Sequence, residues 1–320
     1  MIVALAGGVG GARLAVGLAA ALPPSRLAVV VNNGDDFDHL GLAISQDLDT
    51  VMYTLAGVNN PLAGWGRAKE TWNFMSALVE LGADGWFRLG DRDLAVHVLR
   101  TLALRRGVAL SEITRELATR LGVRHALIPM SDTPMRTRVL TARGELAFQD
   151  YFVREQCRPR VRGFRFAGSR NAQPAPPLAR IMRSRKVRAV VICPSNPYVS
   201  VAPILSVPAI RAWLRQRDFP VVAVSPIVGG VALKGPAAKM MRELGCEATA
   251  LGVVRHYGGS VDGWVIDTQD ATLRRAIERE GKAVLVTDTV MSDRGKSAKL
   301  AKRVVSFARA SAAERQGTSE

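Results

Sequence analysis

A glycine-rich loop directly after a short apolar segment is the feature that most restricts the fold of this chain. Residues 2–6 predict a buried strand, and residues 12–22 have a helical pattern that ends before Pro23. A strand, a glycine loop and a helix in this order are typical of α/β proteins in which the start of the helix faces an anion. The spacing is neither GxGxxG nor a P-loop, and a tight turn without a ligand is the alternative. We predict that phosphate contacts the loop glycines, namely Gly7, Gly8, Gly10 and Gly11.

A second apolar segment ends in a polar turn that is followed by a group of carboxylates. Residues 27–31 predict a strand, residues 32–34 (Asn-Asn-Gly) a turn, and the aspartates are Asp35, Asp36, Asp38, Asp47 and Asp49. Carboxylates crowded at the end of a buried strand repel one another unless a cation or a hydrogen-bonding ligand satisfies them. Parallel strands present their carboxyl ends at one edge of the sheet, so this group should lie beside the glycine loop. The alternative is a solvated acidic loop, with Asp49 as the N-cap of a helix over residues 50–56.

The same pattern returns later in the chain. Residues 189–193 predict a buried strand that runs into a polar turn containing Ser195 and Asn196. Both side chains could hydrogen-bond a phosphate or a base, and the alternative is that they only form the turn. Residues 221–224 predict another strand, and Gly229-Gly230 follows it closely. The expected ligand site therefore collects the carboxyl ends of several strands.

The order of elements predicts an α/β fold with a Rossmann-like parallel sheet at its core. We expect a single domain over residues 1–310, with a helical cap inserted at about residues 57–125. Alternating residues at about 135–170 predict a small β-rich segment that contains a hairpin. Residues 311–320 are polar and predict a disordered tail.

Composition excludes several classes of function. Apolar residues make up 48% of the chain, yet no apolar run approaches the roughly 20 residues that cross a bilayer, so no membrane partner is expected. The three cysteines have neither metal-ligand spacing nor an even count, which predicts a cytoplasmic protein. The net charge of +16 is spread over many scattered arginines, which favours anionic small substrates over nucleic acid.

Several motifs together resemble one known family, the 2-phospho-L-lactate transferases of coenzyme F420 biosynthesis. They are GGVGGARLAVGL, VNNGDDFDHLGLAISQDLDTVMYTLAG, ETWNFMSALVELG, WFRLGDRDLA, CPSNPYVSVAPIL and SPIVGG. The resemblance implies a magnesium-dependent enzyme with a Rossmann-like core. Such an enzyme transfers a phospholactyl-type group from a GDP-linked donor to the 5-deazaflavin alcohol Fo and releases GMP. Family members differ in the acid of the donor, which is phospholactate, phosphoenolpyruvate or phosphoglycerate.

The resemblance also implies roles for individual residues. Asp49 in QDLDT and Arg88 in WFRLGDRD match the positions that contact Fo in the family. Mg²⁺ binds carboxylates and phosphate oxygens, and Asp35 and Asp49 are our first choices as its ligands. Asp49 is also the predicted catalytic residue, because it could orient or deprotonate the Fo hydroxyl. An apolar face on the cap helices would permit a homodimer.

Two other classes of protein are considered. A nucleotide-sugar-binding regulator of related fold would share the glycine loop, but it would not need QDLDT and WFRLGDRDLA together. A Rossmann oxidoreductase is disfavoured by the glycine spacing and by the missing acidic residue about 20 positions further on.

Overall fold

The computed structural model describes the backbone of residues 1–317 and the side chains of residues 1–313. Its strands are, in chain order, β1 (Ile2–Ala6), β2 (Leu27–Val31), β3 (Phe37–His39), β4 (Leu42–Ile44), β5 (Ala126–Pro129), β6 (Arg136–Thr141), β7 (Gly144–Ala147), β8 (Val161–Ala167), β9 (Ala189–Ile192), β10 (Val221–Val224), β11 (Ile227–Val228), β12 (Val231–Ala232), β13 (Gly263–Ile266) and β14 (Ala283–Val286). Its α-helices are α1 (Gly8–Ala21), α2 (Gln46–Ala56), α3 (Asn73–Glu80), α4 (Asp91–Arg105), α5 (Leu110–Arg120), α6 (Pro176–Arg183), α7 (Ala202–Ser206), α8 (Pro208–Arg215), α9 (Ala237–Glu243), α10 (Ala250–Tyr257), α11 (Arg274–Arg279) and α12 (Arg294–Gly317).

A seven-stranded parallel sheet forms the centre of the molecule, in the order β14-β13-β10-β9-β1-β2-β5. β1 pairs with β2 on one side and with β9 on the other, so the strand order reverses there. The strands nearest the middle are buried along their whole length because helices and a small sheet cover both faces. The predicted α/β fold with a Rossmann-like parallel core is confirmed. In open α/β sheets the expected ligand position is the carboxyl edge of the strands beside such a reversal.

The two faces of the sheet have separate hydrophobic cores because alternate residues of each strand point to opposite sides. Val3 and Leu5 face the core that also receives β6 and β8, whereas Ile2 and Ala4 face the core under α1 and α12. α1 and α12 pack so closely that a side chain on Gly17 would overlap the Ser297 carbonyl group. This contact fixes the position of α1 and therefore of the glycine loop at its start.

The segment between β2 and β5 contains the β3–β4 hairpin and four helices. Three of these helices, α3 to α5, lie within the predicted cap at about residues 57–125. α2 begins at Gln46 with Ser45 as its N-cap, so Asp49 lies inside the first turn. The alternative in which Asp49 caps a helix that starts at Thr50 is wrong. The β-rich segment at 135–170 is a three-stranded antiparallel sheet in the order β7-β6-β8.

The C-terminal helix is longer than the sequence suggested. α12 continues to Gly317, so the predicted disordered tail is wrong for residues 311–317, and residues 318–320 lie outside the described part of the chain. Ser311 explains part of the difference, because it is buried and its hydroxyl donates to the Phe307 carbonyl one turn earlier. Among the described residues, none of the helices is both long and apolar enough to span a bilayer.

Candidate active site

A cavity of about 350 Å³ opens at the carboxyl edge of the sheet, beside the reversal of strand order. It is lined by the loops that follow β1, β2, β9 and β10, by the first turn of α2, and by more distant loops. Six of the predicted site residues line this cavity, namely Gly7, Gly8, Gly10, Asp35, Ser195 and Asn196. The carboxyl ends of separate strands therefore meet as expected.

The glycine loop forms the floor of this cavity. Gly8 has a left-handed backbone with φ of 62°, and α1 starts there without an acidic residue or a side-chain cap in its first turn. The N–H groups of a helix start favour an anion, and the Gly8 N–H already donates to a carboxylate, that of Asp47. A side chain on Gly10 would overlap the Pro194 carbonyl oxygen, so only glycine allows this approach of the two loops. Gly11 does not line the cavity, and a side chain there would press on the Ser195 hydroxyl.

Ser195 and Asn196 line the cavity and also hold its wall together. The Ser195 hydroxyl accepts from the Gly7 N–H at 3.1 Å and donates to the Gly7 carbonyl at 2.8 Å. The Asn196 side chain accepts from the Tyr198 N–H at 3.0 Å, which caps the π-helical turn of residues 197–201. Asn196 therefore has the turn-forming role, whereas the Ser195 side chain joins this turn to the glycine loop. Their contact with a phosphate stays a prediction.

Two carboxylates face this cavity across a shared amide. Asn32 Nδ2 donates to Asp35 Oδ2 at 3.1 Å and to Asp47 Oδ2 at 3.0 Å. Asp47 Oδ1 also accepts from the Gly8 N–H at 2.8 Å, which connects the acidic pair to the glycine loop. Asp35 Oδ1 is buried and has no hydrogen-bond partner among the described residues. This pair, Asp35 and Asp47, is the negative centre of the site.

The negative charge of the pair is poorly compensated. Burial, opposed by the hydrogen bonds from Asn32 and Gly8, raises the pKa of Asp47 to about 6. Burial and then the charge of Asp47 raise the pKa of Asp35 well above its usual range. The buried Asp35, with its unpartnered oxygen, and the half-buried Asp47 are a fitting ligand set for Mg²⁺, which prefers oxygen ligands and lowers such repulsion.

Asp49 lies apart from that pair and does not line the cavity. Only 4% of it is exposed, and Arg100 Nη1 donates to its Oδ2 at 3.0 Å while Nη2 contacts Oδ1. His97 lies beside it, with Nδ1 at 3.6 Å from Asp49 Oδ2 and Nε2 at 3.3 Å from Asp93 Oδ2. Asp49, Asp93 and His97 have ligand atoms within 4.8 Å of one another, but the Arg100 guanidinium would repel a metal ion there. The structure does not bring Asp49 to Asp35. Asp47 lies beside Asp35 instead, in the place that the sequence analysis predicted for Asp49.

Arg88 also lies outside the cavity lining. It is exposed, and its guanidinium carbon is 4.3 Å from the centroid of the Trp72 ring. The loop that carries it leads into α4, whose first N–H groups are held by Glu70, with Arg92 N donating to Oε2 at 2.7 Å. Arg88 is thus on the same inserted segment as the partners of Asp49. Its contact with Fo stays a prediction.

Several residues of the cavity were not assigned a role from the sequence. Asp47 belonged to the predicted carboxylate group but was not chosen as a ligand, and helical spacing could have singled it out, because Gln46, Asp47 and Thr50 share the cavity side of α2. Lys234 and Trp65 lie on loops that are distant in sequence, and no local sequence pattern predicts that they line the cavity. From its place in the first turn of the helix, Arg13 could either reach the anion at the glycine loop or face solvent; it lines the cavity and donates from Nη1 to the Met291 carbonyl at 2.8 Å.

Comparison with known proteins identifies the family. A family model described as 2-phospho-L-lactate transferase CofD matches residues 2–306. A phosphoenolpyruvate transferase of Streptomyces griseus is 41% identical over 313 residues, which are 96% of this chain and 98% of that protein. A 2-phospho-L-lactate transferase of Methanosarcina mazei is 36% identical over 304 residues, which are 95% of this chain and 99% of that protein.

The fold has a counterpart among solved structures. A protein of the UPF0052 family from Bacillus halodurans superposes with a TM-score of 0.62 at 16% identity, covering 95% of this chain and 98% of that one, and supports the fold alone. The family model and the two relatives each extend over nearly the whole chain. The chain therefore belongs to the 2-phospho-L-lactate transferase (CofD) family of transferases.

Proposed function

We propose that this protein transfers the phosphate-linked acid of a GDP-linked donor to the alcohol Fo, in coenzyme F420 biosynthesis, and releases GMP. In this reaction the Fo hydroxyl oxygen bonds to the phosphorus that carries the acid. The bond from that phosphorus to the oxygen of GMP breaks, GMP keeps the electron pair, and the hydroxyl proton leaves to a base or solvent. One observation carries the proposal: the glycine loop and the pair Asp35–Asp47 face one cavity.

The glycine loop supports binding of the donor diphosphate. Gly8, Val9 and Gly10 at the start of α1 line the cavity, and a helix start with no acidic residue in its own first turn stabilises negative charge. Arg13 and Lys234 add two positive side chains to the lining. Phosphoryl-type transfer depends mainly on alignment and charge neutralisation, which this arrangement supplies.

Asp35 and Asp47 are the residues that would hold Mg²⁺. The unpartnered oxygen of Asp35 and the raised pKa of both carboxyl groups support a cation between them and the donor. When bound, the metal would neutralise charge on the diphosphate. Asn32 orients both carboxylates from behind, and the Gly8 N–H fixes Asp47 against the loop that binds the phosphates.

The acceptor site rests on the family resemblance of Asp49 and Arg88. Arg88 is exposed and stacks on Trp72, so it offers a planar cation and an aromatic face to a flat ring such as that of Fo. Asp49 is held by Arg100, and we propose that it orients the Fo side of the site through this fixed geometry. Transfer by Asp49→Asn or Arg88→Ala should be abolished while nucleotide binding stays measurable. Normal transfer by either variant would remove that residue from the acceptor site.

The acid of the donor is the most specific part of the proposal. We propose phosphoenolpyruvate, because the relatives at 39% to 41% identity carry that name, whereas the 2-phospho-L-lactate transferases are at 36% and 37%. The test is mass spectrometry of products from purified protein, Mg²⁺, Fo and each GDP-linked donor in turn, with Asp35→Asn as the matched control. Product from the phosphoenolpyruvate donor is expected. Product only from another donor would overturn the choice of acid, and no product from any donor would overturn the transfer.

We also propose a cytoplasmic homodimer. α4 presents exposed apolar side chains at helical spacing, among them Val98, Leu99 and Leu102. Because a contiguous apolar helix face is costly in water, a second copy of the chain is a suitable cover. Light scattering during gel filtration should give twice the mass of the chain, and Leu99→Glu should give the monomer mass.

A further inference from the structure

A second and larger cavity, of about 660 Å³, lies behind the wall of the candidate active site. It is formed by residues of β8, the π-helical turn, α7, α8 and the end of α10. The turn of residues 197–201 separates the two cavities, since Pro197 lines this one while Val199 and Ser200 line the other. The volume is within the usual range for small-molecule sites, about 300–1,000 Å³.

The floor of this second cavity is apolar and partly aromatic. Leu214 and Tyr257 are buried in it, and Phe166 and Leu205 are half-buried. The Tyr257 ring also lies 5.6 Å from the Trp264 ring, so the floor continues into a packed aromatic group. A floor of this kind binds a planar or aliphatic body in preference to a small hydrated ion.

The rim of the cavity is positively charged. Arg211 and Arg215 are one turn apart on α8, so both extend over the same side of the helix, and both are exposed. Neither forms a salt bridge with another described residue, whereas Arg217 is paired with Asp262 at 3.0 Å. The described lining contains no aspartate or glutamate. The positive charge of Arg211 and Arg215 is therefore available to a ligand.

We infer that this second cavity binds an aromatic anion, with its ring on the apolar floor and its acidic group between Arg211 and Arg215. The inference does not depend on the transfer reaction. A ligand there would press against the turn of residues 197–201, and so would contact a wall of the candidate active site from behind.

The test is calorimetric titration of the full chain with 1-naphthalenesulfonate, compared with neutral 1-naphthalenemethanol and with sulfate. We expect one site for the sulfonate and weaker binding of both reference compounds. Arg211→Gln with Arg215→Gln should weaken binding about tenfold, because each exposed ion pair contributes at most about 1 kcal/mol. The matched control is Arg279→Gln with Arg303→Gln, two exposed arginines outside this cavity.

Hydrogen–deuterium exchange then locates the bound probe. Slower exchange in residues 197–217 and 256–260 is expected when 1-naphthalenesulfonate is bound. Equal affinity of the Arg211→Gln, Arg215→Gln variant and the wild type would overturn the inference, as would protection confined to other segments. Sulfate binding as tight as that of the sulfonate would contradict a role for the apolar floor. Equal binding of the neutral alcohol would contradict a role for the two arginines.

Discussion

Helix α2 separates two groups of aspartates that differ in whether a cationic side chain compensates their negative charge. On the cavity side, Asp35 and Asp47 both accept from the Asn32 amide, Asp47 also accepts from the Gly8 N–H, and neither has a cationic partner within hydrogen-bond distance among the described residues. On the inner side, Asp49 is bound through both carboxylate oxygens by the Arg100 guanidinium. Asp47 and Asp49 are two residues apart, and a helix turns by about 200° over that distance, so they point in nearly opposite directions.

The difference separates a carboxylate whose charge is already compensated from two carboxylates whose charge is not. A buried ion pair such as Asp49–Arg100 is complete in itself, and removing one partner leaves an uncompensated charge. The pair Asp35–Asp47 lacks that compensation, and a cation or an anion-bound metal would supply it. The predictions below test this contrast, beginning with the largest expected effect.

Asp35→Asn should have the largest effect, and it should act on catalysis. Losing one of the two carboxylates that we propose as metal ligands should lower kcat/KM about 10³-fold, since a bound metal contributes several kcal/mol to transition-state stabilisation. Steady-state transfer assays measure the effect, and Asp38→Asn, which removes an exposed carboxylate nearby, is the matched control. Activity of Asp35→Asn near that of the control would contradict a role for Asp35 in binding the metal.

Arg100→Met should act on stability. The Asp49 carboxylate would stay buried without its counter-ion, and the free energy of unfolding should fall by about 3–5 kcal/mol. Urea unfolding followed by circular dichroism measures this loss. The double variant Arg100→Met, Asp49→Leu should recover most of it, because it removes both charges. An unchanged urea midpoint in the single variant would contradict a structural role for the pair.

The effect of Mg²⁺ on thermal stability should depend on pH. The pKa of Asp47 is about 6 in the folded chain, above its ordinary value of 3.8, so the folded state holds this proton more tightly. The contribution of this proton to the free energy of unfolding is fully present below pH 3.8 and is lost as the pH rises through about 6. At that pH the carboxylate becomes ionised and can bind a cation.

At 100 times its Kd, Mg²⁺ should therefore stabilise the protein by about 2.7 kcal/mol above pH 6, and by less below it. Thermal unfolding with and without Mg²⁺ across this range measures the difference. Without metal, Asp47→Asn should unfold at a higher temperature than the wild type above pH 6. An effect of Mg²⁺ that is independent of pH would contradict a role for Asp47 as its ligand.

Gly8→Ala should have the smallest effect and should be confined to the cavity side. Gly8 has φ of 62°, where a side chain costs about 1–2 kcal/mol, although nothing lies within 4 Å of the added methyl group. The strain falls on the N–H that holds Asp47, so Mg²⁺ affinity should fall. Gly82→Ala, at a glycine with φ of 89° and equally open space, is the matched control. If Gly8→Ala loses no more Mg²⁺ affinity than the control, the Gly8 N–H does not position Asp47 for the metal.

The sheet and its ligand edge could be predicted from sequence because both depend on local patterns. Short apolar strands that end in glycine, asparagine or serine turns predicted the parallel core and placed Gly8, Asp35 and Ser195 together. These residues follow their strands by only a few positions. Their location was therefore fixed once the strand order was right.

The roles of the α2 aspartates could not be assigned in the same way. Starting the helix at Thr50 hid the fact that Asp47 and Asp49 lie in its first turn and face opposite sides. The partner of Asp49 is 51 residues away on α4, and only the spacing of Asp93, His97 and Arg100 along one helix face hinted at it. The family motif pointed to Asp49, although Asp47, two residues earlier, is the aspartate of α2 that lines the cavity.

The position of β1 in the middle of the sheet has a consequence for how the site is made during translation. β1 leaves the ribosome before β9, and the hydroxyl that bonds to Gly7 belongs to Ser195, 188 residues later. A nascent chain that has only β1 and β2 lacks this part of the cavity wall. Because such distant pairings form slowly, the proposed binding of a nucleotide should arise late and all at once.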